Sequence, residues 1–121
     1  MLNIILFIDF EQKNENLNVL QFGLKQTTID KINSIFQKIP EVEQVIIYGS
    51  GAKGNFRNGS DIDITLKGDN LTYDLLSKIT GEIDDLETQY MLDISIFDKL
   101  VAPSLEEYIN RVGQVFYKKF L

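Results

Sequence analysis

"IIYGSGAKGNFRNGSDIDI", residues 46–64, holds two motifs that belong to different kinds of protein. Gly49, Gly51 and Gly54 fit G-x-G-x-x-G, the glycine-rich turn that cradles a dinucleotide pyrophosphate. Asp61 and Asp63 fit D-x-D, a carboxylate pair at strand spacing that suits a metal ion. The segments on either side decide between them.

The dinucleotide reading demands more than three glycines. The third should open a crossover helix of about ten or more residues before the next strand. Here only "NFRNGS", residues 55–60, separates Gly54 from Asp61, and it is short and polar. The acidic residue expected about 20 positions on, at the tip of a second parallel strand, has no such strand to sit on. A phosphate-binding loop of the G-x-x-x-x-G-K-[ST] type is excluded as well, because no Gly-Lys-Ser/Thr follows.

The metal reading gains from its surroundings. Alternate residues of a strand leave the same face, so "DIDITL", residues 61–66, sends Asp61, Asp63 and Thr65 one way and Ile62, Ile64 and Leu66 the other. Two carboxylates a few ångströms apart repel, and burial adds to that cost. A bound dication reverses it. An exposed edge strand with a wet polar face is the plain alternative. Two features favour the metal. Gly49-Ser50 ends the preceding strand and offers backbone N–H groups and a hydroxyl to phosphate oxygens. Asp93, in "YMLDISIFD" (residues 90–98), holds the equivalent place on a third strand. Three carboxylates from two strands beside a phosphate-gripping turn have the composition of a two-metal phosphoryl-transfer site.

Composition narrows the chemistry further. The chain has 121 residues, enough for one domain, and no cysteine or histidine. That excludes thiol catalysis, Ser-His-Asp triads and thiolate or imidazole zinc sites. Any metal must be held by oxygen, which suits Mg²⁺, Mn²⁺ or Ca²⁺. The formal net charge of −6 is the wrong sign for gripping nucleic acid by its phosphates. "MLNIILFIDF" is apolar but shorter than the roughly 20 residues of a membrane span, and it lacks a basic start and a small-residue cleavage site. The expectation is a cytoplasmic protein whose first ten residues form an extra strand or a lead-in. "EQKNENLN" reads as a linker.

The periodicities give the order helix, strand, strand, helix, strand, helix. "TTIDKINSIFQKIP" is a helix with Ile29, Ile32, Phe36 and Ile39 on one face, Thr27 and Asp30 as a capping box, and Pro40 closing it. "VEQVIIY" is a buried strand ending at Tyr48. "NLTYDLLSKITGEID" places Leu71, Leu75, Ile79 and Ile83 on one helical face. In "YMLDISIFD", Leu92, Ile94 and Ile96 oppose Asp93, Ser95 and Phe97. "SLEEYINRVG" is a helix with Ser104 and Glu107 as its capping box, Leu105, Ile109 and Val112 as its apolar face and Gly113 as its stop. "QVFYKKFL" fits a strand or more helix. The fold class is α+β: a small mixed β-sheet with helices packed on it. The expected division is an N-terminal extension, residues 1–26, and one domain, residues 27–121.

Gly49-Ser50, Ala52-Lys53-Gly54, Ser60-Asp61-Ile62-Asp63 and Asp93 together resemble the minimal nucleotidyltransferases, small single-domain relatives of the DNA polymerase β superfamily. The resemblance runs from about Thr27 to the C-terminus and includes the closing "YINRVGQVFY". It implies the polymerase β-like nucleotidyltransferase fold. It implies that Asp61 and Asp63 ligate Mg²⁺ (or Mn²⁺) and bridge it to the triphosphate of ATP. Asp93 would complete the second metal site and help deprotonate an attacking hydroxyl. Gly49 and Ser50 would hold the β- and γ-phosphates, with Lys53, Arg57 and Ser60 as further nucleotide contacts. The reaction would transfer a nucleoside monophosphate to a hydroxyl and release pyrophosphate. Many members of this family are antitoxins that silence a helical HEPN-type toxin by adenylylating a tyrosine, by binding it, or by both.

The chain departs from the family pattern at Gly51, where Arg usually follows the Gly-Ser pair. Glycine removes a positive charge near the phosphates and costs about 1 kcal/mol of helix propensity relative to alanine. Lys53 and Arg57 are the candidates to substitute, though each also fits a solvated loop charge. Two functions follow: an adenylyltransferase acting on a toxin, favoured by Asp61, Asp63 and Asp93, and a non-catalytic antitoxin that masks its toxin by binding, favoured by Gly51. A protein partner suits the acidic chain better than nucleic acid, and no membrane association is expected.

Overall fold

The computed structural model describes residues 20–49, 61–88 and 90–120. Its elements are β1 (Leu20–Gln21), β2 (Leu24–Lys25), α1 (Gln26–Gln37), β3 (Gln44–Tyr48), β4 (Asp61–Lys67), α2 (Tyr73–Asp84), β5 (Met91–Ile96), a short 3₁₀ turn (Phe97–Lys99), α3 (Pro103–Val112) and β6 (Gln114–Lys118). Among the described residues there is a two-stranded ribbon, β1-β2, and a four-stranded mixed sheet ordered β5-β4-β3-β6. β3 runs antiparallel to both β4 and β6, and β4 runs parallel to β5 through the α2 crossover. This is the expected α+β architecture.

The apolar runs explain the layering. The "VIIY" of β3 is buried throughout, as a strand covered on both faces must be. On one face Ile29, Ile32, Ile35 and Phe36 of α1, with Ile79 and Ile83 of α2, close over Val45, Ile47, Ile62, Ile64 and Leu66. Each such side chain contributes roughly 1.5–3 kcal/mol through burial. On the opposite face Ile109 of α3 packs with Ile46 and Tyr48, backed by Phe97, Leu100, Leu105 and Tyr108. The ribbon packs on the main core through Leu24, which is fully buried, and Phe22, whose ring lies 5.6 Å from that of Phe116.

Several local expectations are corrected. α1 begins at Gln26 and not at a Thr27 cap; Lys25 is the N-cap residue and makes no side-chain cap bond. The chain enters the helix straight from β2, whose buried Leu24 fixes the start, and Asp30 instead accepts from Gln26 Nε2 at 2.9 Å. The helix ends at Gln37, so Ile39 lies beyond it, though still buried. Pro40 follows shortly after the C-cap, a usual place for proline. The Ser104–Glu107 box is absent because Pro103 takes the first helical position and Ala102 the cap. Glu107 pairs with exposed Arg111 at 3.2 Å instead. Leu71 precedes α2, which Thr72 caps by accepting from the Leu75 N–H at 3.1 Å. Phe97 belongs to the 3₁₀ turn, not the strand. "QVFYKKFL" resolves as strand β6.

Candidate active site

The site gathers where β3 ends and β4 and β5 begin. Antiparallel pairing sets Tyr48 opposite Asp63, and parallel pairing sets Asp63 opposite Asp93 and Asp61 opposite Met91. The register therefore brings the three sequence-predicted aspartates to one end and one face of the sheet. Asp63 is half-buried at the centre; Asp61 and Asp93 are exposed.

Gly49 turns the chain out of β3 with φ of 72°, the left-handed region where a side chain is strained. A Cβ there would stand 2.9 Å from Asp63 Oδ2. Backbone conformation and close approach thus both select glycine, and the Asp63 carboxylate lies directly against the turn. Burial pushes the Asp63 carboxyl above its ordinary range, and the neighbouring charges of Asp93 and then Asp61 push it the same way.

Three hydroxyls lie on the same face. Ser95 Oγ donates to Thr65 Oγ1 at 2.9 Å, and Thr65 Oγ1 donates to the Ser95 carbonyl at 3.4 Å. Tyr48, on the same face, stands opposite Asp63. Burial pushes the Tyr48 phenol up; the nearby Ser95 side chain opposes that, and the charges of Asp63 and Asp93 add to the rise. Thr65 was expected on the polar face with Asp63, and it is there, but fully buried. The sequence reading missed Tyr48 as part of this face. The available signal was a lone hydroxyl closing the Val-Ile-Ile run of β3, next to the glycine turn.

Among the described residues, no three acidic side chains draw close enough together to hold a metal ion as they stand. Asp61 sits one pleat further out than the Asp63–Asp93 pair. The donor chemistry nonetheless fits Mg²⁺ or Mn²⁺. All three candidates are carboxylates; burial, and then the charges of Asp93 and Asp61, push Asp63 up, and a hard dication would offset both the desolvation and the repulsion. Ser50, Gly51, Lys53, Gly54, Arg57 and Ser60 lie outside the described residues.

Comparison with known proteins gives the family. The chain matches the family described as "Polymerase beta, Nucleotidyltransferase" over residues 30–120. It belongs to that nucleotidyltransferase family. No curated protein sequence matches it. Among solved structures, this nucleotidyltransferase is similar to a chain of a toxin–antitoxin complex crystallised with AMP-PNP, at 19% identity and a TM-score of 0.61, covering 75% of this chain and 73% of that one. It is similar to a chain of the MntA-HepT toxin–antitoxin complex, at 16% identity and a TM-score of 0.58, with 78% and 74% covered. A third likeness is to a chain of the complex between the tri-AMPylated HEPN toxin and the MNT antitoxin of Shewanella oneidensis, at 18% identity and a TM-score of 0.56, with 78% and 72% covered. These likenesses share the fold, and the polymerase β-like nucleotidyltransferase fold expected from residues 49–93 is the fold observed. Among the described residues no helix is long and apolar enough to cross a membrane.

Proposed function

We propose that this nucleotidyltransferase moves AMP from ATP to a tyrosine hydroxyl of a HEPN-type toxin and acts as its antitoxin. The observation that carries the reading is the Asp63–Asp93 register against the Gly49 turn, in a chain of this family. Similar folds occur in a complex crystallised with AMP-PNP and in a complex whose HEPN toxin is AMPylated.

Asp61, Asp63 and Asp93 would hold Mg²⁺ or Mn²⁺, which when bound supplies charge neutralisation at the triphosphate. Gly49 and Ser50 receive the β- and γ-phosphates at the turn, with Lys53, Arg57 and Ser60 as further contacts. Asp93 is on β5, which pairs only with β4 among the described residues and so stands at the open edge of the sheet. From there it takes the proton of the incoming hydroxyl. The tyrosine oxygen bonds to the α-phosphorus, the bond to pyrophosphate breaks, and pyrophosphate leaves.

The test is to co-express the chain with a HEPN-type toxin and to weigh that protein intact. An AMP mass gained with the wild type and absent with Asp63→Asn is the expected result. A second reading, an antitoxin that masks its toxin by contact alone, is favoured by Gly51 in place of the family's arginine. Equal neutralisation by wild type and Asp63→Asn, with no added mass, would select it. Gly51→Arg would then be expected to tighten ATP binding without restoring transfer.

A further inference from the structure

The sheet has two edges, and they are finished differently. Among the described residues β6 pairs only with β3, with a register shift between Val45 and Ile46, and it ends on Lys118. Bulges and lysines are common means of protecting an edge strand from further pairing. β5 pairs only with β4 among the described residues, in unbroken register from Met91 to Leu92 and on to Ile96, and "MLDISI" holds neither lysine nor proline. Its outer row of N–H and C=O groups is therefore a template for another strand. Met91 is 69% exposed, Asp93 is exposed, and Leu92, Ile94 and Ser95 are half-buried, so most of the strand still has surface to cover. The strand's one charge, Asp93, belongs to the site described above.

A strand laid along this edge meets Asp93, to which the acceptor hydroxyl must come under the proposed function. Neighbouring strands stand about 4.8 Å apart. Alternate side chains of the incoming strand share the face of Asp93, and those diagonal to it stand about 7–8 Å away, a span that aromatic side chains cover. A tyrosine there sets its phenol beside the Asp93 carboxylate. The residues before and after that tyrosine turn to the opposite face, where half-buried Leu92 and Ile94 pack against the main core. An apolar–tyrosine–apolar run thus matches both faces at once. A second copy of this chain matches less well. Two β5 strands paired antiparallel about their centres bring two Asp93 carboxylates near one another, and like charges across strands destabilise the pairing. The net charge of −6 likewise favours a partner less acidic than the chain itself.

We propose that the open edge of β5 is the docking site for an extended, tyrosine-bearing segment of the protein acceptor, which joins the sheet as a further strand and so presents its phenol to Asp93. The inference rests on the proposed function, which names the acceptor. It is tested with the full chain by amide hydrogen exchange at single-residue resolution, free and with a HEPN-type toxin bound, next to an intact-mass measurement of AMP on the toxin. Binding should slow exchange about tenfold or more at alternate amides within residues 91–96 and leave residues 114–118 unchanged, with matching slowing in a tyrosine-containing stretch of the toxin. Bound toxin without slowing in residues 91–96 overturns the inference, whether or not AMP is transferred, as does slowing matched by a toxin stretch that lacks tyrosine. Outward amides of β5 already slow in the free chain also overturn it. If that slowness grows with concentration, a second copy occupies the edge; if it does not, another part of this chain does. Alternate slowing in β5 and in a tyrosine-containing stretch, with no AMP on the toxin, supports the docking site and overturns the adenylyltransferase reading alone. A toxin that does not bind the chain overturns both.

Discussion

Gly49 and Asp63 occupy the same few ångströms, and each restricts the other. An alanine at position 49 would carry its Cβ to 2.9 Å from Asp63 Oδ2 while holding φ of 72°. The left-handed backbone alone costs a side chain about 1–2 kcal/mol. Gly49→Ala should therefore lower unfolding stability in urea by about that amount and also displace Asp63, so that transfer falls much further than stability does. Retained transfer would mean that Asp63 has room to move without consequence. Asp63 carries a second, opposite expectation. It is half-buried, and burial, then the charges of Asp93 and Asp61, all push its carboxyl up. Asp63→Asn preserves shape and removes one of the repelling charges, so in EDTA the variant should melt a few degrees above wild type while transfer is lost. A lower melting temperature in EDTA would show that the Asp63 charge has a stabilising partner. These aspartates were legible in the sequence because period-two alternation forces polar residues onto one face, and an unbroken aliphatic face opposite leaves no ambiguity. Tyr48 was not legible in that way. Its place beside Asp63 comes from the pairing of β3 with β4, and one sequence does not state which strands become neighbours.

At the scale of elements, strands were read more reliably than helix ends. β4 and β5 announced themselves by alternation, and β3 by its β-branched run. The helix starts depended on competition between local signals. Thr27-x-x-Asp30 and Ser104-x-x-Glu107 both have capping-box spacing, yet neither caps a helix. In one case a buried leucine upstream sets the start; in the other, a proline whose fixed φ already suits the first helical turn. Gly113 was read correctly as the end of α3 but for a different reason than a left-handed cap. Its φ is −67°, its N–H donates to the Ile109 carbonyl at 2.8 Å, and a Cβ would meet both Ile109 O and Ile46 Cγ2 at 2.5 Å. The glycine lets the end of α3 lie directly on β3. Gly113→Ala should therefore push α3 off Ile46 and lower stability by about 1–3 kcal/mol in a urea titration, as overpacking does elsewhere. An unchanged midpoint would show that α3 can shift freely, and that the sheet face bearing Tyr48 does not depend on its seat.

The molecule as a whole carries a net charge of −6, which bears on what can approach the site. Asp61 and Asp93 add exposed negative charge at the mouth itself. A nucleic-acid acceptor would bring a dense line of phosphates toward this surface, and nothing in the overall charge would compensate their repulsion. ATP differs because its charge is compact and can arrive with a dication. A protein acceptor differs again because its own surface can present charge of either sign around a neutral tyrosine. Charge thus favours a protein hydroxyl over an RNA terminus as the acceptor under the proposed function. The expected outcome is concrete. With α-phosphate-labelled ATP and Mg²⁺, a mixture of the toxin partner and total RNA at equal mass should yield label on the protein and none on the RNA. Raising the salt from low to physiological should not move label onto RNA, since screening weakens the repulsion without creating an attraction. Label on RNA at either salt concentration would show that a local cationic patch outweighs the net charge, and the acceptor would then have to be sought among nucleic acids.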